Sequence, residues 1–486
     1  MQLFIIIFVS IFLNLNFVQS TVVHIYHLSS QMPSKFVCMF SMSWFGLGPT
    51  DPQGSGPDIY SNHWNVGSQG SCVPAAQPNQ CGPDGQRQIS SYYRPLAGIY
   101  SSSGLNAESL ARIDLMLSTI KQSDHCDYGH ANLNAWSIQL ESIQLSSRYR
   151  SNPSANVEIP YQAYLHFRQQ VERQRFSSGV IVPGYDSSWL YTFSTSLGLG
   201  RCDNSDSNNL RDVCVNSTIA DFIDMISNIS STSNYMINGK PLIYIYTSIG
   251  DRLLNSTEWS YIWTIVRQRV SIDFYTICTT TSLLNVFDGV APWIDLVAWS
   301  MTSSSLPLYN RTISWLELVY GPILSSNISS GRLVLGGLTT GFDDYTQSWG
   351  ACQTRTIPRH ADLIRAQFDY FTAHQIRHLF VYTWDDWTEG SQFEPDTTNG
   401  TAFLLLLRRS IASFYQQTQN IDGDRKLVSR WTNYPQLRNC TQIHVTSVPT
   451  TDISCSISTN SQQTNHFNLC SIIFSFLLFF LCNIYI

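Results

Sequence analysis

Late in the chain, the run Thr383-Trp384-Asp385-Asp386-Trp387-Thr388-Glu389-Gly390 packs three carboxylic acids, two tryptophans and a glycine together. Paired carboxylates are the machinery of glycosidic cleavage: one acid protonates the leaving oxygen, and a second carboxylate acts as base or nucleophile. Asp386 and Glu389, three residues apart on a loop entering a helix, can face one pocket. A neighbouring tryptophan excludes water and raises the pKa of such an acid, as proton donation requires. Acids are also at home in the first turn of any helix, where they meet its positive end. A second acidic stretch is Thr339-Thr340-Gly341-Phe342-Asp343-Asp344, with Trp349 and Arg359 after it; Asp343 equally suits an Asx turn. Asp186 with Trp189, Asp251 and Trp299 are further candidates for contact with a sugar.

These residues need a scaffold, and apolar patterning supplies one. Strand-like runs fall at 134–140, 179–182, 241–246, 272–278, 333–335 and 378–384, with another starting near Lys35 and one ending at Leu296–Trp299. Helical periodicity falls between most of them, at about 106–121, 161–175, 219–229, 258–269, 314–324, 360–373 and 402–415. Alternating β and α elements imply a parallel sheet, and eight such units predict a (β/α)8 TIM barrel with inserted loops. In that fold the active groups follow the C-terminal ends of the strands, where both acidic stretches lie. An open doubly wound sheet is the competing architecture, but no glycine-rich phosphate loop follows an early strand. Residues 48–88 read as an elaborated loop, and 443–463 as a Ser/Thr-rich stalk.

The two ends set an expected compartment. Residues 1–20 read as a signal peptide ending Val18-Gln19-Ser20. Residues 464–486 end in an apolar tail with no basic flank, as in a lipid-anchor signal, a membrane helix being the alternative. The catalytic body is expected over 21–425 and the stalk over 426–463, giving a cell-surface or secreted protein held to the membrane by its tail only. Asn-X-Ser/Thr sequons at Asn216, Asn228, Asn255, Asn310, Asn327, Asn399 and Asn439 agree with that topology. So does an even set of cysteines outside the tail, which favours disulfides; Cys72 with Cys81 and Cys202 with Cys214 are close enough to close local loops. No CxxC spacing occurs, so no zinc site is expected, nor any other metal or cofactor. A net charge of −6 argues against nucleic acid as partner. Aromatic residues make up 13% of the chain, a share that suits stacking on sugar C–H faces as well as filling a core.

The segment Thr383–Asp396, TWDDWTEGSQFEPD, resembles the last-strand motif of glycoside hydrolase family 99, roughly N-E-W-x-E-G-x-x-x-E-P. Further stretches agree in order: Ser43-Trp44-Phe45-Gly46, His63-Trp64, Ser91–Ser102, and Gly341–Asp344 with Pro358-Arg359 and Arg365-Ala366-Gln367. The resemblance covers about 36–416 in islands. Near the C-terminus, family 71, the α-1,3-glucanases, is similar too, with an Asp-x-x-Glu pair. This resemblance implies a barrel glycosidase acting on α-linked mannosides or glucans. It implies Glu389 as general acid/base and Asp386 as the second carboxylate, which in family 99 is a Glu thought to deprotonate the sugar's own 2-hydroxyl. Asp386 is one methylene shorter, as in family 71.

The expected function is hydrolysis of an α-linked polysaccharide or glycan by Asp386 and Glu389, with Asp343, Asp344, Trp384, Trp387, Tyr100 and His63 as substrate contacts. A glycosyltransferase on the same barrel, and a carbohydrate-binding protein without turnover, are the alternatives.

Overall fold

The computed structural model describes residues 33, 35–43, 45–47, 60–62, 89, 91–98, 100, 102, 107–120, 130–140, 159–174, 176, 178–188, 190, 208–247, 254–326, 331–345 and 355–433. Its centre is a ring of parallel strands: β1 Phe36–Ser41, β2 Ala135–Leu140, β3 Ile181–Asp186, β4 Lys240–Tyr246, β5 Tyr275–Cys278, β6 Gly289–Val290, β7 in two segments, Leu333–Val334 and Gly336–Leu338, and β8 His378–Val381. The first segment of β7 pairs with β6 and the second with β8, and β8 pairs with β1. The ring therefore closes through a strand interrupted at Leu335, and the fold is the expected (β/α)8 barrel.

Helices α1 Ala107–Leu117, α2 Ile159–Gln174, α3 Asn208–Ser227 and α4 Ser256–Arg269 follow the first four strands. Only a single turn, Thr281–Leu283, separates β5 from β6. Then come α5 Leu296–Met301 and α6 Leu308–Ser325 before β7, α7 Ala361–Ala373 before β8, and α8 Ala402–Phe414 with α9 Ile421–Thr432 after it.

The two-residue period of a strand sorts side chains between helices and barrel interior. On β3, Tyr185 turns outward against Phe222 of α3, with ring centroids 4.7 Å apart, while Asp186 bonds to Gln139 of β2. Trp136 of β2 likewise packs on Phe167 of α2. The interior is filled with aromatic rings. Tyr244 of β4 stacks on Phe380 of β8 at 4.2 Å and meets Phe40 of β1 edge-on at 5.1 Å. Each buried ring removes enough apolar surface to stabilise by about 2 kcal/mol, and together they make a solid floor beneath the C-terminal face.

Three expectations about the framework are corrected. Leu296–Trp299 is the start of α5 and not the end of a strand: the Asp295 side chain accepts from the Ala298 amide and caps a helix there. The body does not lose regular structure beyond Arg425, because α9 runs to Thr432 and buries Leu427 and Trp431 against it. Cys38 and Cys278 are free thiols buried in β1 and β5, whereas Cys214 is disulfide-bonded. The leader, residues 434–463 of the expected stalk, the C-terminal tail, Cys72, Cys81 and Cys202 lie outside the described residues. Among the described residues no helix is long and apolar enough to cross a membrane.

Candidate active site

The loop leaving β8 folds back on itself. Thr383 accepts at its carbonyl from the Phe393 amide at 2.8 Å, and Trp384 from the Glu394 amide at 2.8 Å. The Trp384 amide donates to the Phe40 carbonyl at 2.7 Å, which ties the loop to the end of β1. Gly390 turns the loop at φ +63°, a conformation that suits glycine. The Asp343 amide donates to the Glu389 carbonyl at 2.7 Å, joining this loop to the exit of β7.

Asp386 is fully buried. Its Oδ1 accepts from the Thr388 hydroxyl at 2.8 Å and from the Glu389 amide at 3.1 Å, while its own amide donates to the Thr383 hydroxyl at 2.9 Å. Its Oδ2 meets no N–H or O–H donor, and the Glu389 side chain adjoins its carboxyl. Burial pushes Asp386 up to about 7, opposed by the Thr388 and Glu389 bonds and reinforced by the charge of Asp385. Two adjoining carboxyls that favour sharing one proton are an acid and a base at the same pH. Glu389 is the less buried of the two.

Two further groups stand at the ends of strands, and the first of them faces this pair. Tyr246 ends β4, and burial followed by the charges of Glu389, Asp186 and Asp386 holds its phenol well above its usual pKa, so it remains a neutral donor. Asp186 ends β3, where burial raises its carboxyl to about 6 against hydrogen bonds from Ser188 and from Gln139, the last at 2.7 Å. Strands β3, β4 and β8 thus direct acids and a phenol to one end of the barrel. Tyr246 was not singled out from sequence; its signal was its place as the last aromatic of the strand Pro241–Tyr246.

Other expected contacts turn inward instead. Trp384 is fully buried, with Trp136 at 5.2 Å and Trp431 at 5.5 Å. Trp387 and Tyr100 are buried in an ion cluster built around Arg112 of α1. The Arg112 guanidinium donates to Asp385 at 2.7 Å and to Glu394 at 3.3 Å and lies over the Tyr100 ring at 3.8 Å. The Tyr100 hydroxyl donates to Glu394 at 2.5 Å, and the Trp387 indole donates to Tyr100 at 2.8 Å. Asp385 also accepts from the Ser41 hydroxyl at 2.9 Å and the Met42 amide at 2.7 Å. These residues position the loop and do not line a pocket.

At the exit of β7, Asp343 is half-buried and accepts from the Tyr345 amide at 3.1 Å, as an Asx turn does. Asp344 is fully buried and paired with Arg355. Gly341 has no room for a side chain: a Cβ would lie 2.8 Å from the Arg359 backbone. Arg359, in turn, bonds the Gln392 carbonyl at 2.7 Å and pairs with Asp396 at 2.9 Å, fastening the far side of the β8 loop. Trp299 lies inside α5 under Arg311 and is buried. His63, Trp189, Asp251 and Trp349 lie outside the described residues. Among the described residues no cluster of three His, Cys, Asp or Glu is arranged to hold a metal ion.

Beside Tyr246 a cavity of about 800 Å³ extends over the ends of β4, β5 and β6 to the flank of α6.

No family model and no curated protein matches this sequence. Among solved structures, the chain is similar to the GH99 endo-alpha-mannosidase from Bacteroides thetaiotaomicron, at 14% identity and a TM-score of 0.49, over 79% of this chain and 98% of that one. It is also similar to a glycoside hydrolase-like protein at 11% identity and a TM-score of 0.46, over 77% and 93% of the two chains.

Proposed function

We propose that this chain is a glycoside hydrolase that cleaves an α-linked glycan, with Asp386 and Glu389 as the reacting groups. The observation that carries the reading is the carboxyl pair itself: two acids at the C-terminal mouth of a barrel, close enough to share one proton, one of them pushed towards neutrality by burial. Glu389, the more exposed, donates the shared proton to the leaving oxygen. Asp386, left as a carboxylate, acts as the base. Carboxyls that flank a sugar in ordinary retaining or inverting sites stand at least about 5 Å apart. Asp386 and Glu389 adjoin on one loop, Oδ1 of the first accepting from the amide of the second at 3.1 Å, which favours action from one side of the ring through a neighbouring sugar hydroxyl. That is the mechanism the sequence resemblance implies. Tyr246 and Asp186 offer a neutral donor and an acceptor to other hydroxyls. The glycan is proposed to be an α-mannoside or an α-1,3-glucan, met at a cell surface to which the chain is held by its C-terminal tail.

A second reading, a carbohydrate-binding protein without turnover, draws on the complete burial of Asp386 and its short side chain. Reducing-sugar release from α-mannans and α-glucans, with Glu389→Gln alongside, separates the two. Release that disappears in the variant supports the hydrolase; binding without release by the unaltered chain supports the second reading.

A further inference from the structure

We propose that the cavity beside Tyr246 receives an apolar aglycone, so that the preferred substrate is a glycoside of a lipid-like or other apolar alcohol; this rests on the hydrolase reading above. The cavity begins at the residue whose phenol faces the carboxyl pair and ends at α6, so a ligand spanning it has one end at the chemistry.

Most of the polar side chains along its wall are already partnered. Thr247 and Thr279 bond each other at 2.9 Å, Thr247 donates to Thr280 at 2.7 Å, and the Thr279 and Thr280 hydroxyls reach the Thr247 carbonyl at 3.1 and 3.0 Å. Asp295 caps α5 through the Ala298 amide at 2.9 Å, and Arg355 is paired with Asp344. A sugar subsite must offer free donors and acceptors, because a hydroxyl buried without a partner is costly. What this cavity offers instead is apolar contact from Trp293, Leu318, Val319 and Ile323.

Its mouth carries the same character outward. Val297 and Leu318 line the cavity and are nonetheless 65% and 46% exposed, while Met301 and Leu306 nearby in sequence are 69% and 38% exposed. Apolar side chains left in water around an apolar slot mark a ligand surface. A volume of about 800 Å³ exceeds what one sugar ring needs and leaves space for a chain of carbons. In the reaction the bond between the anomeric carbon and the aglycone oxygen breaks. The proton from Glu389 goes to that oxygen, the hydroxyl of a water molecule goes to the anomeric carbon, and the water's remaining proton returns to the Asp386–Glu389 pair, which gives a free sugar and an alcohol and restores the acid.

The test is calorimetric binding of methyl and octyl α-mannosides and α-glucosides, below micelle-forming concentrations, to the full chain carrying Asp386→Asn. A buried methylene strengthens binding about fourfold, so the octyl glycoside of at least one sugar should bind tenfold or more tightly than its methyl counterpart. Val297→Gln with Leu318→Gln, both at exposed positions, should abolish that preference and leave the methyl glycoside unaffected. Equal affinities, binding of neither, or a preference that survives the double substitution would overturn the proposal. So would loss of binding to a hydrophilic oligosaccharide in the double variant, since the cavity would then be a sugar subsite. An octyl preference without release of octanol by the unaltered chain would retain the cavity assignment and remove the hydrolase reading.

Discussion

Asp386→Asn should stabilise the fold while abolishing turnover, and the pH dependence of the gain is the informative part. An aspartate in the unfolded chain loses its proton near 3.8; burial holds that of Asp386 to about 7. Between these values the folded state binds the proton and the unfolded state does not, so stability falls as the pH rises. Above 7 the accumulated penalty is about 4 kcal/mol, and below 4 it vanishes. Asparagine carries no such penalty. Its Oδ1 keeps the bonds from Thr388 and the Glu389 amide, and its Nδ2 donates to Glu389 where Oδ2 had no donor of its own. Because part of the proton affinity belongs to the pair, about half the penalty, roughly 2 kcal/mol, should be recovered. In a body of this size that is a rise in melting temperature of about 2–4 °C. Scanning calorimetry at pH 4, 6 and 8 should show no gain at the first, a partial gain at the second and the full gain at the third. A difference that does not change with pH, or a lower melting temperature at pH 8, would refute the assignment of Asp386 as an acid strained by burial.

Arg112→Met should leave Asp385 and Glu394 buried without their counter-charge and destabilise by about 3–5 kcal/mol, read as loss of soluble protein or a collapse of the melting temperature. Asp385→Asn removes a charge that raises Asp386, so the acidic limb of the activity profile should move to lower pH. Trp431→Ala should cost about 3–5 kcal/mol by opening the contact with Trp384, which a chain ending at 425 would also lack.

The acidic exit of β8 was legible because an apolar run, HLFVYTW, ends abruptly in carboxylates. The ring of strands was legible for the same reason wherever strands are long. It failed at β6, because two residues, Gly289 and Val290, carry no period, and the nearby apolar Leu296–Trp299 took their place. The cap at Asp295 was the available sign. In α9 only Leu427 and Trp431 anchor a largely polar helix, too few for a hydrophobic stripe. Its capping Asn420 and the acids Asp422 and Asp424 in its first turn were the better evidence. Nothing in a sequence tells a tryptophan that lines a pocket from one that fills a core, so Trp384 and Trp387 were assigned to the pocket. An arginine within the apolar face of α1 was the sign that acids in the motif have a buried partner.

The bonds from Asp385 to Ser41 and Met42 join residues 344 and 343 positions apart. The loop that holds the carboxyl pair therefore cannot be set until the first and last strands of the ring have met. During synthesis the other strands can form and pair with the site still unmade, and the emerging chain has no assembled carboxyl pair until β8 and the segment after it have been added. Pairings between distant parts of a chain form slowly, so recovery of activity on refolding should lag behind recovery of helix, and a nick anywhere that loosens β1 should silence a loop it never touches.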